Sequence, residues 1–246
     1  MKKSTLENFI KKYSINGNIN SVKFSIDSKQ KQLKTSMISD EKNVLGSVVA
    51  KDFTDIQEDL EFGIYDTAKL KSMISVLDED ITLSVDKNNK GAVTALNVVD
   101  AKTTVQFVTA DLQVIPNVPA LKKTPNFNVE IELNSEFVTK FIKAKNSLSE
   151  EQLFTILMNK KNELVTIIGH SAINSNRITL NTKTLNGLNS VGKEISFNAN
   201  YFKDILASNS DCENAVYKVS DAGLSTVTFV TTEFESTYYI VETKKA

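Results

Sequence analysis

The sequence predicts an α+β fold of two similar domains, each built from antiparallel sheets and carrying two helices. Three observations predict it. An amphipathic helical segment recurs four times at nearly equal spacing, apolar residues alternate with period two between those segments, and all three prolines fall together near the middle. The helical segments begin at Ser4, Asp66, Asn134 and Asn198, so successive starts lie 62, 68 and 64 residues apart. A period of that kind marks one supersecondary unit used repeatedly.

Each helical segment opens on a residue suited to an N-cap, whose side-chain oxygen accepts an orphan backbone N–H. The spacing predicts helices over Ser4 to Ile15, Asp66 to Asp78, Asn134 to Ser147 and Asn198 to Ser208. Their apolar residues fall on one face: Leu6, Phe9, Ile10 and Tyr13 in the first; Leu70, Met73, Ile74 and Leu77 in the second. Phe137, Val138, Phe141 and Ile142 form the third stripe, and Tyr201, Phe202, Ile205 and Leu206 the fourth. Each helix therefore has one stripe to bury.

Between helices the period changes to two, as in Ile81, Leu83 and Val85, in Val129, Ile131 and Leu133, in Ile178 and Leu180, and in Val227 and Phe229. These are half-buried strands, covered by helices on one face and wet on the other. Asn16-Gly17, Asn88 to Gly91, Asn186-Gly187 and Gly192 supply the turns. Pro116, Pro119 and Pro125, with Asn117, Lys122, Lys123 and Thr124, make an extended connector, because proline lacks a ladder donor and restrains its neighbour. The resulting division is an N-terminal domain over 1–112, a connector over 113–126 and a C-terminal domain over 127–246.

With 246 residues, 41% of them hydrophobic, the chain can bury two ordinary cores. It has no apolar run long enough to span a bilayer and no apolar leader behind Met1-Lys2-Lys3, so no membrane partner and no export are expected. Its formal net charge is −1, yet residues 1–15, 66–78, 134–147 and 198–208 together sum to +5 and the remainder to −6. At 100° per residue, Lys12, Lys140, Lys143 and Lys203 project away from their apolar stripes. Lysine on a solvent face is ordinary for any one helix; its repetition on helices of an otherwise acidic chain is what draws notice.

No catalytic constellation is present. The single His170 ends an apolar run and reads as a strand-end residue, and the single Cys212 excludes a disulfide framework and a cysteine-rich metal site. Asp78, Glu79 and Asp80 close a helix without further ligands at a calcium-loop spacing, so they read as a solvated turn. Glu150 and Glu151 read as a polar loop before a strand at Leu153 to Met158. No phosphate loop is found, no metal or cofactor is expected, and the chain reads as a non-enzyme.

Gly63-Ile64-Tyr65-Asp66, the helix closing on Leu77-Asp78-Glu79-Asp80, then Asp100-Ala101-Lys102-Thr103-Thr104, Ala110-Asp111 and the connector with Pro116 and Pro119 resemble the sliding clamps of T-even-type bacteriophages. The resemblance is closest over about residues 60–120; beyond it rests on element order, with the strand from Val129 to Leu133 entering the helix at Asn134. The chain departs from the phage pattern in extra length between Glu150 and Asn174 and in its last stretch, Tyr238 to Ala246.

The resemblance implies a DNA-clamp fold like that of the proliferating cell nuclear antigen, a homotrimer forming a pseudo-sixfold ring that encircles duplex DNA without reading sequence. It also implies a processivity factor that tethers a replicative DNA polymerase, is placed by a clamp loader and works in the cytoplasm of an infected bacterial host. Lys2, Lys3, Lys11, Lys12, Lys69, Lys71, Lys140, Lys143 and Lys203 would then be the DNA-facing residues. Leu112, Val114, Ile115 and Val118 would receive a polymerase peptide under the connector. Set against this is a non-catalytic phage structural protein of the virion or tail, whose helices merely cover sheets; an enzyme is a third and less supported reading.

Overall fold

The computed structural model describes residues 1–121, 123–159, 161, 163–169, 175–185 and 191–243. Lys122, His170 and the Asn186-Gly187 turn lie outside the described residues. By its internal contacts the chain divides into two compact units: Met1–Asp40, Gly46–Pro119 and Thr231–Ser236 in the first, and Glu41–Leu45, Ala120–Val230 and Thr237–Ala246 in the second. One of the five cuts falls inside the connector, after its second proline, Pro119.

The elements through the connector are α1 (Lys3–Ser14), β1 (Val22–Asp27), β2 (Gln32–Ile38), β3 (Val44–Ala50), β4 (Leu60–Ile64), α2 (Thr67–Ile74), β5 (Thr82–Lys87), β6 (Val93–Val99), β7 (Thr104–Val108) and a 3-10 turn at Leu112–Val114. Strands run β4-β1-β2-β3 in one sheet and β5-β6-β7 in another. Val22, Phe24 and Ile26 alternate inward on β1, as period two demands. Beneath the helices, Phe24 meets Phe9 at 5.3 Å, Tyr13 at 5.6 Å and Phe62 at 5.6 Å, all edge to face. Tyr13 and Thr67 share a hydroxyl hydrogen bond of 3.3 Å that ties α1 to α2, and burial holds the Tyr13 phenol above its ordinary range.

The elements that follow are β8 (Val129–Asn134), α3 (Ser135–Ser147), β9 (Leu153–Met158), β10 (Glu163–Gly169), β11 (Arg177–Lys183), β12 (Ile195–Asn198), α4 (Ala199–Ser208), β13 (Asn214–Ser220), β14 (Leu224–Val230) and β15 (Phe234–Val241). Here β11-β10-β9-β12 form one sheet, and β15-β14-β13-β8 run side by side in that order. Phe141 of α3 meets Phe202 of α4 at 4.9 Å and Phe154 of β9 at 5.2 Å, while Phe202 continues to Tyr217 of β13 at 5.1 Å. α1 in the first unit and the α3–α4 pair in the second thus rest on strands through aromatic contacts, while α2 buries Leu70 and Ile74 instead. All four helices occur where the period places them.

Three of the four expected caps form: Asp66 accepts from Lys69 N at 2.9 Å, Asn134 from Phe137 N at 2.9 Å, and Asn198 from Tyr201 N at 3.1 Å. Ser4 does not cap its helix. α1 starts one residue earlier, and Glu79 satisfies its first amides, accepting from Lys3 N through its carbonyl at 2.7 Å and from Ser4 N through Oε1 at 3.3 Å. The acidic turn has a use beyond solvation: Glu79 also accepts from the Ser4 hydroxyl, Asp80 pairs with Lys2 at 2.5 Å, and Lys3 Nζ donates to Leu77 O at 2.6 Å. α2 is shorter than expected, ending at Ile74 with Ser75 as its C-cap.

Gly63 of β4 has no room for a side chain. A Cβ there would lie 2.8 Å from Ala110 O and 2.8 Å from Ile115 Cγ1, so the glycine lets the connector seat Ile115, which is 8% exposed. Gly63→Ala is expected to destabilise the protein by about 1–3 kcal/mol, because the opposing atom is backbone and cannot yield; a lower urea midpoint with an unchanged slope is the measurement.

Candidate nucleic-acid interface and connector groove

The lysines on the helices divide by environment. Lys69 and Lys71 on α2 and Lys143 on α3 are exposed, and no ion pair engages them among the described residues. Lys140 is exposed too, but its ammonium lies 2.6 Å from Glu136 one turn earlier, and that pair holds the Glu136 carboxyl below its usual range. Lys203 is half-buried, 3.5 Å from Asp204. Lys2 pairs with Asp80, Lys3 is half-buried over the end of α2, and Lys11 is half-buried in the last turn of α1.

Lys12 is not on a solvent face. It is 1% exposed, and its ammonium sits 5.2 Å from the centre of the Phe234 ring, a cation–π contact inside the first unit. The reason is geometric: Lys12 lies three residues after Phe9, at the edge of the apolar stripe, and Phe234 closes over that edge. Lys145 behaves likewise. Four residues after Phe141, it is 2% exposed and donates to Ser149 O at 2.9 Å and Leu148 O at 3.4 Å, so it finishes the C-terminus of α3. Burial first, and then the charge of Lys203, press its ammonium below the ordinary lysine range. Its position four residues from a stripe phenylalanine was the available signal that this charge belongs to the fold.

The connector borders a groove of about 410 Å³. Leu112, Ile115, Pro116, Asn117 and Val118 form one wall; Lys23 and Ser25 of β1, Lys34, Thr35 and Ser36 of β2, and Glu61 of β4 form the other. Lys23 pairs with Glu61 at 2.8 Å and Lys34 with Asp27 at 3.0 Å, so that wall is polar but internally balanced. Of the four connector residues marked by sequence, Leu112, Ile115 and Val118 line the groove. Val114 does not: it is 70% exposed, because Asp111 caps the 3-10 turn through Gln113 N at 2.8 Å and turns Val114 to solvent.

Among the described residues, no group of three or more His, Cys, Asp or Glu side chains is arranged to hold a metal ion, and no helix is long and apolar enough to cross a membrane. Cys212 is half-buried, its Sγ donating to Val230 O at 3.5 Å.

Two helix-bearing units with antiparallel sheets and a grooved connector define the DNA-clamp fold, and comparison with solved structures bears this out. The proliferating cell nuclear antigen (PCNA) of Entamoeba histolytica superposes with a TM-score of 0.71 at 15% identity, covering 99% of this chain and 96% of that one. PCNA of Thermococcus kodakaraensis gives 0.71 at 12% identity, over 98% and 97%. A. fulgidus PCNA, in a structure with the C-terminal region of FEN-1 bound, gives 0.75 at 11% identity, over 100% and 98%. No family model and no curated protein matches the sequence. At such identities the likeness is one of fold.

Lys140→Gln is expected to return the Glu136 carboxyl upward toward the ordinary value of about 4.3, read from its side-chain ¹³C shift across a pH titration. Since the folded value is the depressed one, whatever stability this pair contributes is present above that ordinary value and lost as pH falls through the folded one.

Proposed function

We propose that this chain is a sliding clamp, three copies of which close into a ring around duplex DNA and hold a DNA polymerase to its template. The observation that carries the reading is the clamp fold itself, which extends over nearly the whole chain at TM-scores of 0.71 to 0.75. The sequence resemblance refines it to a clamp of the T-even bacteriophage type, placed by a clamp loader in the cytoplasm of an infected bacterium, without catalysis of its own.

On this reading Lys69, Lys71 and Lys143 are the strongest inner-face residues, since their charge is not already spent on a carboxylate. Lys2, Lys3, Lys11, Lys140 and Lys203 lend a weaker field, and Lys12 lends packing instead. With a net charge of −1 the protein cannot hold DNA by affinity, and lysine–phosphate attraction weakens further with salt. Retention must come from topology: a closed ring leaves a duplex only at an end. A polymerase held to such a ring rebinds its primer as an intramolecular event at high effective concentration. The connector groove is the docking place for its peptide, with Leu112, Ile115 and Val118 as the apolar side. The A. fulgidus clamp that holds the C-terminal region of FEN-1 is a neighbour in which a partner's tail is the bound element.

A native mass near three times 27.3 kDa by light scattering, with loaded protein that persists on closed circular DNA and leaves when the circle is cut, is the expected result. A strict monomer at every concentration, or retention indifferent to cutting, would remove the clamp from the account. Lys69→Glu, Lys71→Glu and Lys143→Glu combined are expected to leave the native mass unchanged while lowering retained clamp on the order of tenfold.

A further inference from the structure

β9 and β10 follow α3 as β1 and β2 follow α1, but their outward faces differ in kind. On β1 the residues turned away from the core are Lys23, Ser25 and Asp27, opposite Ser36, Lys34 and Gln32 of β2, with Glu61 of β4 beside Ser25. That face is polar, as a wet sheet face should be. In the second unit Phe154 meets Phe141 and Phe202 of the helices, so Ile156, Leu164 and Ile168, which share its side of the sheet, form the inner face. The residues between them, Leu153 and Leu157 on β9 and Val165 and Ile167 on β10, are apolar as well. Strands apolar on both sides are built to be covered on both.

We infer that the outer face of β9 and β10 is a docking surface for an amphipathic segment of another protein, apolar toward these two strands and acidic toward β11. Register gathers the apolar residues: Leu157 lies opposite Val165, Val165 opposite Asn181, and Ile167 between Thr155 and Thr179. The face spends its own hydroxyls internally, since Thr155 and Ser196 of β12 share a buried hydrogen bond of 2.9 Å. Val165 is 7% exposed, and Leu153, Leu157 and Ile167 are half-buried, so what they offer to a partner is apolar surface.

Charge selects the partner. Along β11 the same face carries Arg177 and Lys183, both exposed, and no ion pair engages either among the described residues. Glu163, opposite Lys183, is instead the acceptor of Asn159 Nδ2 at 2.8 Å. Arg177 and Lys183 stand six residues apart on one strand, which is about 20 Å in an extended chain. A helix laid along β11 brings a carboxylate to each if its acidic residues are roughly 13 positions apart. A basic segment would set cation against cation beside a dry contact, so the pair also selects by repulsion. The surface shares no residue with the connector groove and does not depend on ring closure.

The probe is a fluorescein-labelled synthetic helix with leucine along one face and glutamate at its borders, titrated with the full chain and followed by fluorescence anisotropy. The same helix with lysine in place of glutamate is its control. The expected result is saturable binding of the glutamate helix, weakened about tenfold or more by the lysine exchange or by Arg177→Glu combined with Lys183→Glu. Both side chains are exposed, so that double variant keeps its circular dichroism. Ile167→Asn, flanked by Thr155 and Thr179, is expected to weaken the glutamate helix comparably. No saturable binding, equal binding of the two helices, or binding indifferent to the charge reversals would overturn the inference. So would loss of binding in Val118→Asp, which would place the helix in the connector groove. Self-association of the native chain that Ile167→Asn removes would make a second copy the occupant, and would overturn it too.

Discussion

Phe141 set edge to face against Phe202, with Phe154 beneath them, and Phe24 receiving Phe9 and Tyr13, are the contacts on which everything else in the molecule depends. Each buried aromatic contributes roughly 1.5–3 kcal/mol by leaving water, and the contacts fix which side of α1, α3 and α4 faces inward, as buried Leu70 and Ile74 do for α2. The opposite side is then obliged to face solvent. Lys69, Lys71 and Lys143 are presented outward as the geometric complement of a buried stripe, so packing and any DNA-facing role are two sides of one helix.

The segments that join elements are held by backbone accounting. The turn at Asp78 to Asp80 supplies the acceptors that the start of α1 lacks, which couples the first helix to the end of the second. Gly63 permits the close approach of Ala110 and Ile115, so the connector is pinned at one apolar residue while Leu112 and Val118 remain at the groove. Three of the helix lysines serve such tasks: Lys3 over the end of α2, Lys12 against Phe234, Lys145 at the end of α3. What is left over is modest, and a modest field suits the proposed sliding along DNA better than a grip on it.

The sequence by itself determined the α+β class, the four helices and their buried stripes, because a repeated 3.6 period with cap residues and a period-two pattern between is local information. Asp66, Asn134 and Asn198 each cap the helix they announced. It also marked the connector through its prolines. Only the tertiary structure decided which charges are available, since pairing and burial depend on residues far along the chain. Phe234 covers Lys12 from 222 positions away, Glu79 replaces Ser4 as the source of the α1 cap from 75 positions away, and the cap by Asp111 sends Val114 out of the groove its neighbours line.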